Sequence, residues 1–379
     1  MTGRAPDQIG AVHFICLDPR KAKRAKIAQV LGRVGPIRWV KLPPFSLRAT
    51  AAAKQAAQTA MRMSKNRGWS GLRKWVNGWL LARQYAGTYA LFRANPQAVA
   101  VCWNGLNGGR RVFMQAAKDA GARCLFFELA PLPDRITMDP KGVNFHNALP
   151  RDTAPYLHWG AQAREAENTW HGLRDHITQR PSDQARAAAG DLPPLGDPFV
   201  FVALQTPGDS QLRLFGGAFP TVEGFVAACI EAAHHLPDGW HMRIKEHPTA
   251  PTDLAAAFAA KGDARVFLDN DTNTFDQVRA ARAVATVNSS VGLEAMMFEK
   301  PVIACGQAFW AIDGIATQAT DQAALNAACA AADRLAFDAR ARSCFLDYID
   351  QIYYPRLDAP PEQVVARLQG RDAHGFWEV

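Results

Sequence analysis

The stretch from Phe199 to Pro301 places the strongest constraint on the fold, because the same pattern occurs in it three times. Each time, an apolar run of β-favouring residues ends in a group of polar residues; the segments are Phe199–Ser210, Met242–Pro248 and Ala283–Ala295. This pattern predicts buried strands that open into loops. Because open α/β sheets bind their ligands at the carboxyl ends of their strands, the polar groups are candidate binding residues.

Strand and helix patterns alternate on both sides of one Pro-rich linker, Ala189–Pro198. A chain of 379 residues is long for a single core, so two domains are expected. The simplest architecture is α/β of the GT-B type, in which two Rossmann-like domains face a central cleft. We place an N-terminal, acceptor-side domain at residues 1–190 and a C-terminal, nucleotide-side domain at residues 191–379, and we expect the last helix, from Pro361, to pack back onto the first domain.

Cysteine usage and hydropathy indicate the compartment. Seven scattered cysteines form no C-x-x-C pair, so we interpret them as reduced core residues and expect neither disulfides nor a zinc site. No apolar run reaches the roughly 18 residues that a membrane span requires. We interpret Ile9–Leu17 as a first buried strand, because Asp18-Pro19 and a basic run stand where a signal-peptide cleavage site would follow. The expected location is the cytoplasm or the inner face of the cytoplasmic membrane.

Positive charge is concentrated in the first third of the chain. From Arg20 to Lys118 there are twenty Lys or Arg residues and no Asp or Glu, although the net charge of the whole chain is only +8. Such asymmetry predicts a polyanionic partner. Trp69, Trp75 and Trp79 lie among these cations, which suits a lipid headgroup region, and a helical insertion whose tryptophans pack on the sheet is the alternative. No nucleic-acid module accompanies the charge, so we expect no nucleic-acid partner.

Two strands of the N-terminal half end in polar residues. Ala98–Gly105 runs into a Gly-rich turn; Asn104 in this turn is a candidate phosphate-binding residue, and a tight βα connection is the alternative role. Ala122–Glu128 ends in a carboxylate, and a long Pro-rich loop, residues 131–147, comes after it. Because a loop of this length is usually functional, Glu128 is a candidate catalytic residue.

Ser289 and Ser290 lie where a predicted strand gives way to a helix. Backbone N–H groups, two hydroxyls and the helix dipole would meet a phosphate there, and simple capping of the helix is the alternative. Lys245 and His247 favour the binding role. Lysine supplies a point charge for phosphate, and histidine donates to a phosphoryl oxygen or protonates a departing nucleotide.

Carboxylates complete the candidate site. Asp209 comes after a strand and a Pro-Gly turn, so we expect it at the cleft, where it attacks an anomeric carbon or deprotonates an acceptor hydroxyl; an ordinary turn residue is the alternative. Glu294 lies one helical turn beyond Ser290, in a position to bind ribose hydroxyls, with an ion pair to Lys300 as the alternative. Asp209 and Glu128 on opposite walls of one cleft would divide the roles of nucleophile and acid/base.

Together these motifs resemble those of the capsular polysaccharide β-Kdo transferases of Gram-negative bacteria, a capsule synthesis and export family of the GT-B type. The likeness extends from about Val101 to Trp310. Its marks, in order, are Trp103-Asn104-Gly105, Glu128 with Asp139–Asn144 and Pro150-Arg151, Gln205-x-x-x-Asp209-Ser210, Lys245-Glu-His247-Pro248, and Asn288–Ala295 with Lys300–Ile303. The family tends to have Asn-Gly after the glutamate, where this chain has Leu129-Ala130.

The resemblance implies transfer of Kdo, or a related acidic sugar, from a CMP-sugar to a lipid-linked acceptor, with retention of configuration and without a metal or other cofactor. Its implied roles are Asp209 as nucleophile, Glu128 as acid/base, Gln205 as a residue that places the sugar, and a phosphate clamp made of His247, Lys245, Ser289 and Ser290. The implied partners are CMP-Kdo, an anionic lipid-linked acceptor, the inner-membrane surface and capsule assembly or export machinery.

Two alternatives stay open at this point. A CDP-glycerol-type glycerophosphotransferase can also use a GT-B cleft with His-Pro and Ser pairs. A non-catalytic capsule export or assembly protein would use a similar cleft to bind polysaccharide. The complete set of polar residues favours an enzyme.

Overall fold

The computed structural model describes residues 12–18, 20–64, 70–162, 168–175, 177, 192–248, 250, 254 and 264–368. Within them the chain divides into two compact units. Unit 1 comprises the described residues up to Ala148 and those from Ile352 onward, and unit 2 comprises those of Leu149–Gln351. Both units are α/β with a mainly parallel sheet, so the predicted fold class is confirmed. Residues 9–11 of the predicted first strand and residues 189–191 of the predicted linker lie outside the described residues.

Unit 1 is built on a five-stranded sheet. Its strands are β1 Phe14–Leu17, β2 Ile37–Val40, β3 Val99–Trp103, β4 Cys124–Leu129 and β5 Ile136–Asp139. The order is β2-β1-β3-β4-β5, with β5 antiparallel to β4 and the other pairs parallel. The helices of this unit are α1 Lys21–Leu31, α2 Ala51–Arg62, α3 Gly71–Arg93, α4 Gly108–Asp119 and the last helix, Pro361–Leu368. In this doubly wound order the chain changes direction across the sheet between β1 and β3.

Side-chain alternation along the strands produces the core of unit 1. Alternate strand residues meet one face of α1 and the last helix; the strand residues are Phe14, Cys16, Val99, Val101, Trp103, Leu125, Phe127, Ile136 and Met138. Val364 and Leu368 of the last helix belong to the same cluster. A second, alanine-rich cluster joins α2, α3 and α4. The last helix therefore completes the hydrophobic core of the unit that begins the chain.

The segment 131–147, predicted as a long loop, contains β5 and a short 3-10 turn, Asn144–His146. Buried Asp139 organises the backbone after β5: its carboxylate accepts from the N–H groups of Lys141, Gly142 and Ala148 and from the hydroxyl of Tyr353 at 2.7–2.9 Å. Burial raises the pKa of Asp139, and these hydrogen bonds oppose the rise. The sequence interpretation missed the strand because prolines surround it.

Unit 2 is built on a six-stranded parallel sheet. Its strands are β6 Phe199–Ala203, β7 His241–Lys245, β8 Val266–Leu268, β9 Ala283–Thr286, β10 Val302–Ala304 and β11 Thr317–Gln318. Its helices are α5 Ala154–Gln162, α6 His171–Arg174, α7 Ser210–Phe215, α8 Val222–Ala233, α9 Thr274–Ala280, α10 Ser290–Met297, α11 Gln322–Ala330 and α12 Ala339–Tyr348. The three strands predicted from the sequence are β6, β7 and β9, and every residue in them is buried.

The strand order of unit 2 is β11-β10-β9-β6-β7-β8. From β6 the chain moves outward through β7 to β8, then returns to the other side of β6 with β9. This is the Rossmann order, and its switch point lies between β6 and β9. Open α/β sheets bind ligands in the crevice at this point.

The boundary between the units differs from the predicted 190/191, because it falls between Ala148 and Leu149. Aromatic packing explains the difference. Tyr156 in α5 packs edge-on against Phe345 and Tyr348 in α12, with ring centroids 5.2 and 5.5 Å apart, and Trp159 packs on Tyr348 at 5.4 Å. These contacts hold α5 in unit 2, whereas the sequence pattern assigned it to the N-terminal domain.

The cysteines lie where the composition predicts. All seven are free; Cys16, Cys102, Cys124, Cys229, Cys305 and Cys329 are buried, and Cys344 is half-buried. Burial raises the pKa of the Cys124 and Cys329 thiols to about 12, so both are protonated at neutral pH. They act as small hydrophobic core residues.

The apolar face of α3 is exposed in its first half. Leu72 and Trp75 are 75% and 65% exposed, and Val76, Trp79 and Leu80 on the same face are also exposed. The alternative in which these tryptophans pack on the sheet is therefore wrong for Trp75 and Trp79, while Trp69 lies outside the described residues. None of the described helices is both long and apolar enough to cross a membrane.

Candidate functional site

The polar residues that come after β6, β7 and β9 lie at one edge of the unit 2 sheet, because these strands are adjacent and parallel. Two hydrogen bonds tie the strand ends together. The N–H of Leu204 donates to the Lys245 carbonyl at 3.0 Å, and the Thr286 hydroxyl donates to the Ala203 carbonyl at 3.0 Å. The structure thus brings together the three motifs that are separate in the sequence.

Gln205 and Asn288 join β6 to β9 at the switch point. The amide of Gln205 donates to Asn288 Oδ1 at 2.9 Å and accepts from the Asn288 N–H at 3.3 Å. Asn288 Nδ2 in turn donates to the carbonyls of Gln211 and Gln307 at 3.1 and 3.4 Å. Gln205 is 8% exposed, so it holds the neighbouring loops in place, and its predicted contact with a sugar stays a prediction. Asn288 was not predicted as a site residue from the sequence. Its position between the end of the strand and the serine pair could have indicated it.

Asp209 caps the short helix α7. Its Oδ1 accepts from the Gln211 N–H at 2.8 Å, and the Pro-Gly turn before it relies on Gly208, whose φ is 76°. The side chain is half-buried, and its other oxygen accepts no hydrogen bond from the described residues. The cap therefore fixes the carboxylate while leaving one oxygen available for chemistry.

Ser289 and Ser290 begin helix α10. The Ser289 hydroxyl accepts from the Val291 N–H at 3.3 Å, so the helix-capping interpretation holds for this residue. The Ser290 hydroxyl has no partner in the described part of the chain, and both serines are half-buried. Gly292 lets the indole of buried Trp310 approach the helix, since a Cβ there would lie 2.4 Å from the ring. The arrangement offers a hydroxyl and the positive end of a helix dipole at the switch point.

Lys245 is buried rather than exposed at its strand end. Its ammonium donates to the carbonyls of Asn270 and Thr272 at 2.6 and 2.8 Å, which holds the loop after β8. Glu246 next to it is also buried and binds Asn270, accepting from Asn270 Nδ2 at 2.9 Å. The side chain of Lys245 therefore anchors this loop, and its charge lies beside the site. Its direct contact with a phosphate stays a prediction.

His247 and Glu294 complete the residues named from the sequence in this unit. His247 is half-buried in the turn after β7, where its carbonyl accepts from the Ala250 N–H at 2.8 Å. Glu294 is 8% exposed in α10. The alternative ion pair between Glu294 and Lys300 is wrong, because the Lys300 ammonium donates to the Arg279 carbonyl at 2.6 Å.

In unit 1, the Trp103-Asn104 pair holds the carboxylate of Glu128. Trp103 Nε1 donates to one oxygen at 2.7 Å and Asn104 Nδ2 to the other at 2.8 Å. The N–H of Leu129, which stands after the glutamate where the related family has asparagine, donates to the first oxygen at 3.1 Å. Asn104 has a φ of 67°, a backbone conformation that asparagine tolerates. Three donors therefore hold the two oxygens of the Glu128 carboxylate in place.

A cluster of charges surrounds this carboxylate that sequence reasoning missed. The ammonium of Lys23 in α1 lies 4.7 Å from the Trp103 ring centroid. Burial lowers the pKa of Lys23, and the charge of Glu128 opposes this. Asp18 at the end of β1 is fully buried and pairs with Arg110 of α4 at 3.1 Å. The basic run that comes after the first strand in the sequence is the feature that could have predicted this cluster.

Each half of the predicted site is thus assembled within its own unit. Asp209, Lys245, His247, Ser289 and Ser290 belong to the sheet edge of unit 2, and Glu128 with Asn104 belongs to unit 1. The pairing of Asp209 with Glu128 across a cleft stays a prediction.

Comparison with known proteins extends this description. Residues 164–356, more than half of the chain, match the family described as "Capsule polysaccharide biosynthesis protein". Protein FixF of Sinorhizobium fredii is 30% identical over 274 residues, which are 72% of this chain and 64% of that protein. The chain therefore spans less than two thirds of the length of this relative.

Two solved structures of Thermosulfurimonas dismutans KpsC match over most of this chain. The β-Kdo 2,7 transferase is 13% identical with a TM-score of 0.48, covering 88% of this chain and 89% of its own. The β-Kdo 2,4 transferase is 17% identical with a TM-score of 0.48, and the match covers 93% of this chain and 97% of that structure's chain. At TM-scores below 0.5, such likeness carries no conclusion about activity.

The matched family segment contains the residues after β6, β7 and β9, which are the residues that meet at the switch point of unit 2. This agrees with the resemblance seen in the sequence motifs. The chain belongs to the capsule polysaccharide biosynthesis protein family.

Proposed function

We propose that the protein is a glycosyltransferase of capsular polysaccharide synthesis that moves Kdo, or a related acidic sugar, from a CMP-sugar to a lipid-linked acceptor with retention of configuration. The observation that carries the proposal is the meeting of Asp209 and the serine pair at the Rossmann switch point of unit 2. Family membership and the motif resemblance support it. The proposed reaction includes no metal ion or other cofactor.

In the proposed reaction the donor lies at the sheet edge of unit 2. His247, Ser289 and Ser290 contact the CMP phosphate, Lys245 adds its positive charge from behind, and Glu294 binds the ribose. The Gln205–Asn288 bridge fixes the distance between the Asp209 loop and the serine turn.

The transfer itself proceeds in two displacements. The free oxygen of Asp209 attacks the anomeric carbon, the bond from that carbon to the phosphate oxygen breaks, and its electron pair leaves with CMP, which His247 protonates or binds by a hydrogen bond. Glu128 then takes the proton of the acceptor hydroxyl, whose oxygen attacks the anomeric carbon and releases Asp209. Two inversions give net retention.

The test separates chemistry from structure at Asp209. Asp209→Asn keeps an oxygen that caps α7 but removes the nucleophilic carboxylate. With CMP-Kdo and a phosphatidylglycerol-type acceptor, we expect the wild type to release CMP and the variant to lose turnover by on the order of 10³-fold or more at unchanged thermal stability. The matched control is Asp333→Ala, which removes an exposed carboxylate paired with Arg334 and should keep full activity.

Wild-type turnover in Asp209→Asn would exclude the double-displacement mechanism. Turnover of CDP-glycerol with none of CMP-sugars would indicate the glycerophosphotransferase instead. Binding of capsular polysaccharide without measurable affinity for CMP would indicate a non-catalytic assembly protein.

We propose further that the exposed face of α3 contacts the surface of an anionic membrane. Phe45 packs against Trp79 with ring centroids 5.6 Å apart, which extends the apolar face to the loop between β2 and α2, where Leu42 and Leu47 are 74% and 78% exposed. Arg73 and Lys74 are exposed on the same helix, and no acidic residue occurs between Arg20 and Lys118. Aromatic and aliphatic side chains rimmed by cations fit the interface of an anionic bilayer.

Vesicle co-sedimentation tests this surface. We expect binding to phosphatidylglycerol vesicles, little binding to phosphatidylcholine vesicles, and roughly a tenfold or greater loss in the double variant Trp75→Ser/Trp79→Ser. Leu195→Ser, which removes an exposed apolar side chain in unit 2, is the control. Equal sedimentation of the wild type and the double variant would refute the proposed surface.

A further inference from the structure

A pocket of about 280 Å³ lies within unit 1 and is lined in part by Asn104, which binds Glu128. Its walls come from the turn after β3, the inward face of α4, strand β4 and the loop after β5. Four basic side chains line it and no acidic one does; they are Arg111, Lys118, Lys141 and His146. A concave site with one sign of charge concentrates anions.

Arg111 is the central cation of this pocket. It is half-buried, yet no hydrogen bond or ion pair joins its guanidinium to any described residue. Burial lowers the pKa of Arg111. Removing a charged group from water without a partner costs free energy, which a bound anion would offset.

The other cations are arranged around the same space. Lys118 donates to the Lys141 carbonyl at 3.0 Å and lies 4.9 Å from the Phe126 ring centroid. The ammonium of Lys141 forms no ion pair within the described residues. The Asp119 carboxylate next to Lys118 is occupied, because Gln115 donates to it at 2.9 Å and the Tyr85 hydroxyl also donates to it. No described carboxylate forms an ion pair with Arg111, Lys118 or Lys141.

Two glycines allow the walls of the pocket to pack closely. Gly105 has a φ of 74°, and a Cβ there would lie 2.7 Å from the ring of Phe126. At Gly142 a Cβ would lie 2.6 Å from the His146 carbonyl oxygen. A side chain at either position would clash with these neighbours, so glycine is required for the close packing of the pocket walls.

Asn104 connects this pocket to the candidate acid/base. Its side chain lines the pocket and also donates to Glu128 at 2.8 Å. Phe126 and Glu128 are two residues apart on β4, so their side chains leave the same face of the strand. An anion in the pocket would thus lie next to the carboxylate that deprotonates the acceptor.

We propose that this pocket binds an oxyanion of the acceptor, a phosphate or a sugar carboxylate, and positions the acceptor hydroxyl for Glu128. The proposal rests on the proposed function, to which it adds the chemical class of the acceptor. Arg111 supplies the paired N–H donors that match an oxyanion, and Lys141 and Lys118 add point charges. Two acceptor groups share this chemistry: the phosphate of a lipid headgroup and the carboxylate of an acidic sugar already attached.

Calorimetric titration of the full chain tests the pocket without catalysis. The probes are inorganic phosphate, glycerol 3-phosphate and free Kdo. We expect wild-type binding of at least one probe, weakened about tenfold or more in Arg111→Gln and also weakened in Lys141→Gln. The control Arg123→Gln removes an exposed arginine elsewhere in unit 1 and should bind as the wild type does. Preference for glycerol 3-phosphate assigns a lipid phosphate, and preference for Kdo assigns a sugar carboxylate.

A parallel turnover assay with CMP-Kdo separates this proposal from the proposed function. Binding of the probes through Arg111 in a protein that never turns over CMP-Kdo would support the pocket and refute the glycosyltransferase. Turnover of CMP-Kdo with equal probe affinity in the wild type and Arg111→Gln would refute the pocket alone. Absence of wild-type binding to all three probes, or equal weakening in Arg123→Gln, would also refute it, provided that thermal melting shows the variants folded.

Discussion

At the scale of single residues, the polar groups around the site mostly hold one another. Asn288 binds Gln205 and two loop carbonyls, and Asn104 holds Glu128. A hydrogen bond made inside the protein fixes a neighbouring group at a modest net gain, but leaving a buried partner unpaired is costly. Several residues that the motifs present as ligands therefore make structural contacts. Asp209 and Ser290 each keep a side-chain oxygen that forms no hydrogen bond with the described residues.

His241 gives a residue-scale prediction about pH. Its ring stacks on Phe199 and meets Phe267 edge-on, and its Nε2 accepts from Arg243 Nε at 3.1 Å, so this nitrogen carries no proton. Burial, followed by the charge of Arg243, lowers the pKa of His241 from 6.5 to about 4, with Asp197 opposing. Between about pH 4 and pH 6.5 this histidine is protonated in the unfolded chain but not in the folded protein. The free energy of unfolding therefore falls by on the order of 3 kcal/mol as the pH decreases from about 6.5 to about 4.

The measurement is urea unfolding of the wild type and of His241→Phe across this pH range. The variant keeps an aromatic ring in the stack but cannot take up a proton, so its stability should fall less steeply with acid. His235→Gln, an exposed histidine in the same unit, is the control and should behave as the wild type does. Identical pH profiles for His241→Phe and the wild type would contradict the prediction.

At the scale of elements, strand order decides what the motifs can do. β6 lies between β7 and β9. The loops that follow these strands are about 40 residues or more apart in sequence, yet they meet at the carboxyl ends of adjacent strands. A single buried side chain also fixes one of the turns in unit 2. Asp347 of α12 accepts from the N–H of Asn168 at 2.8 Å, from the Thr169 hydroxyl at 3.0 Å and from the Trp170 N–H at 3.3 Å. One buried carboxylate thereby fixes the turn before α6.

Asp347→Ala should therefore destabilise unit 2. The N–H groups of Asn168 and Trp170 lose their acceptor, while the Thr169 hydroxyl keeps Asp350 at 3.2 Å. At a position that is 3% exposed, this loss costs about 2–4 kcal/mol in the free energy of unfolding. Asp347→Asn keeps one carbonyl oxygen and should cost less. Chemical denaturation measures both, with Asp333→Ala as an exposed control expected within about 0.5 kcal/mol of the wild type. A loss in Asp347→Ala no larger than in the control would show that the turn does not depend on this carboxylate.

At the scale of the whole molecule, the chain makes two compact units, and unit 1 is discontinuous in sequence. Its last helix places Val364 and Leu368 in the core formed by β1, β3 and β4. Buried Arg367 donates to the carbonyls of Met138 and Tyr353 at 3.2 and 2.5 Å. The unit that begins the chain is therefore complete only when the residues after Ile352 have joined it.

A charge in this helix should open unit 1 selectively. Val364→Asp buries a carboxylate at a position with 0% exposure, which costs several kcal/mol. In hydrogen exchange, we expect loss of protection in β1–β5 and retained protection in β6, β7 and β9. Gln363→Asp, half-buried on the neighbouring position, is the control and should leave both units protected. Equal loss of protection in the two units would show that they unfold as one.

Much of the fold was readable from the sequence, because its signals are local. Apolar runs bounded by polar residues identified β6, β7 and β9, the glycine-rich turn after β3 was recognised, and scattered cysteines indicated a reduced core. Strand β5 was missed because prolines mask its short apolar run, and α5 was assigned to the wrong unit because nothing local reveals that Tyr156 packs on Phe345.

The sequence by itself determined that this protein is α/β, which strand ends carry polar residues, and to which family the motifs point. Only the tertiary structure decided which of those residues already have partners within the protein, and that Lys245 anchors a loop. It also placed Lys23 and Arg110 in the surroundings of Glu128. Arg111 has no side-chain partner among the described residues. The physical reason is that secondary structure depends on near neighbours in the chain, whereas the environment of a charged side chain depends on contacts between residues far apart in sequence.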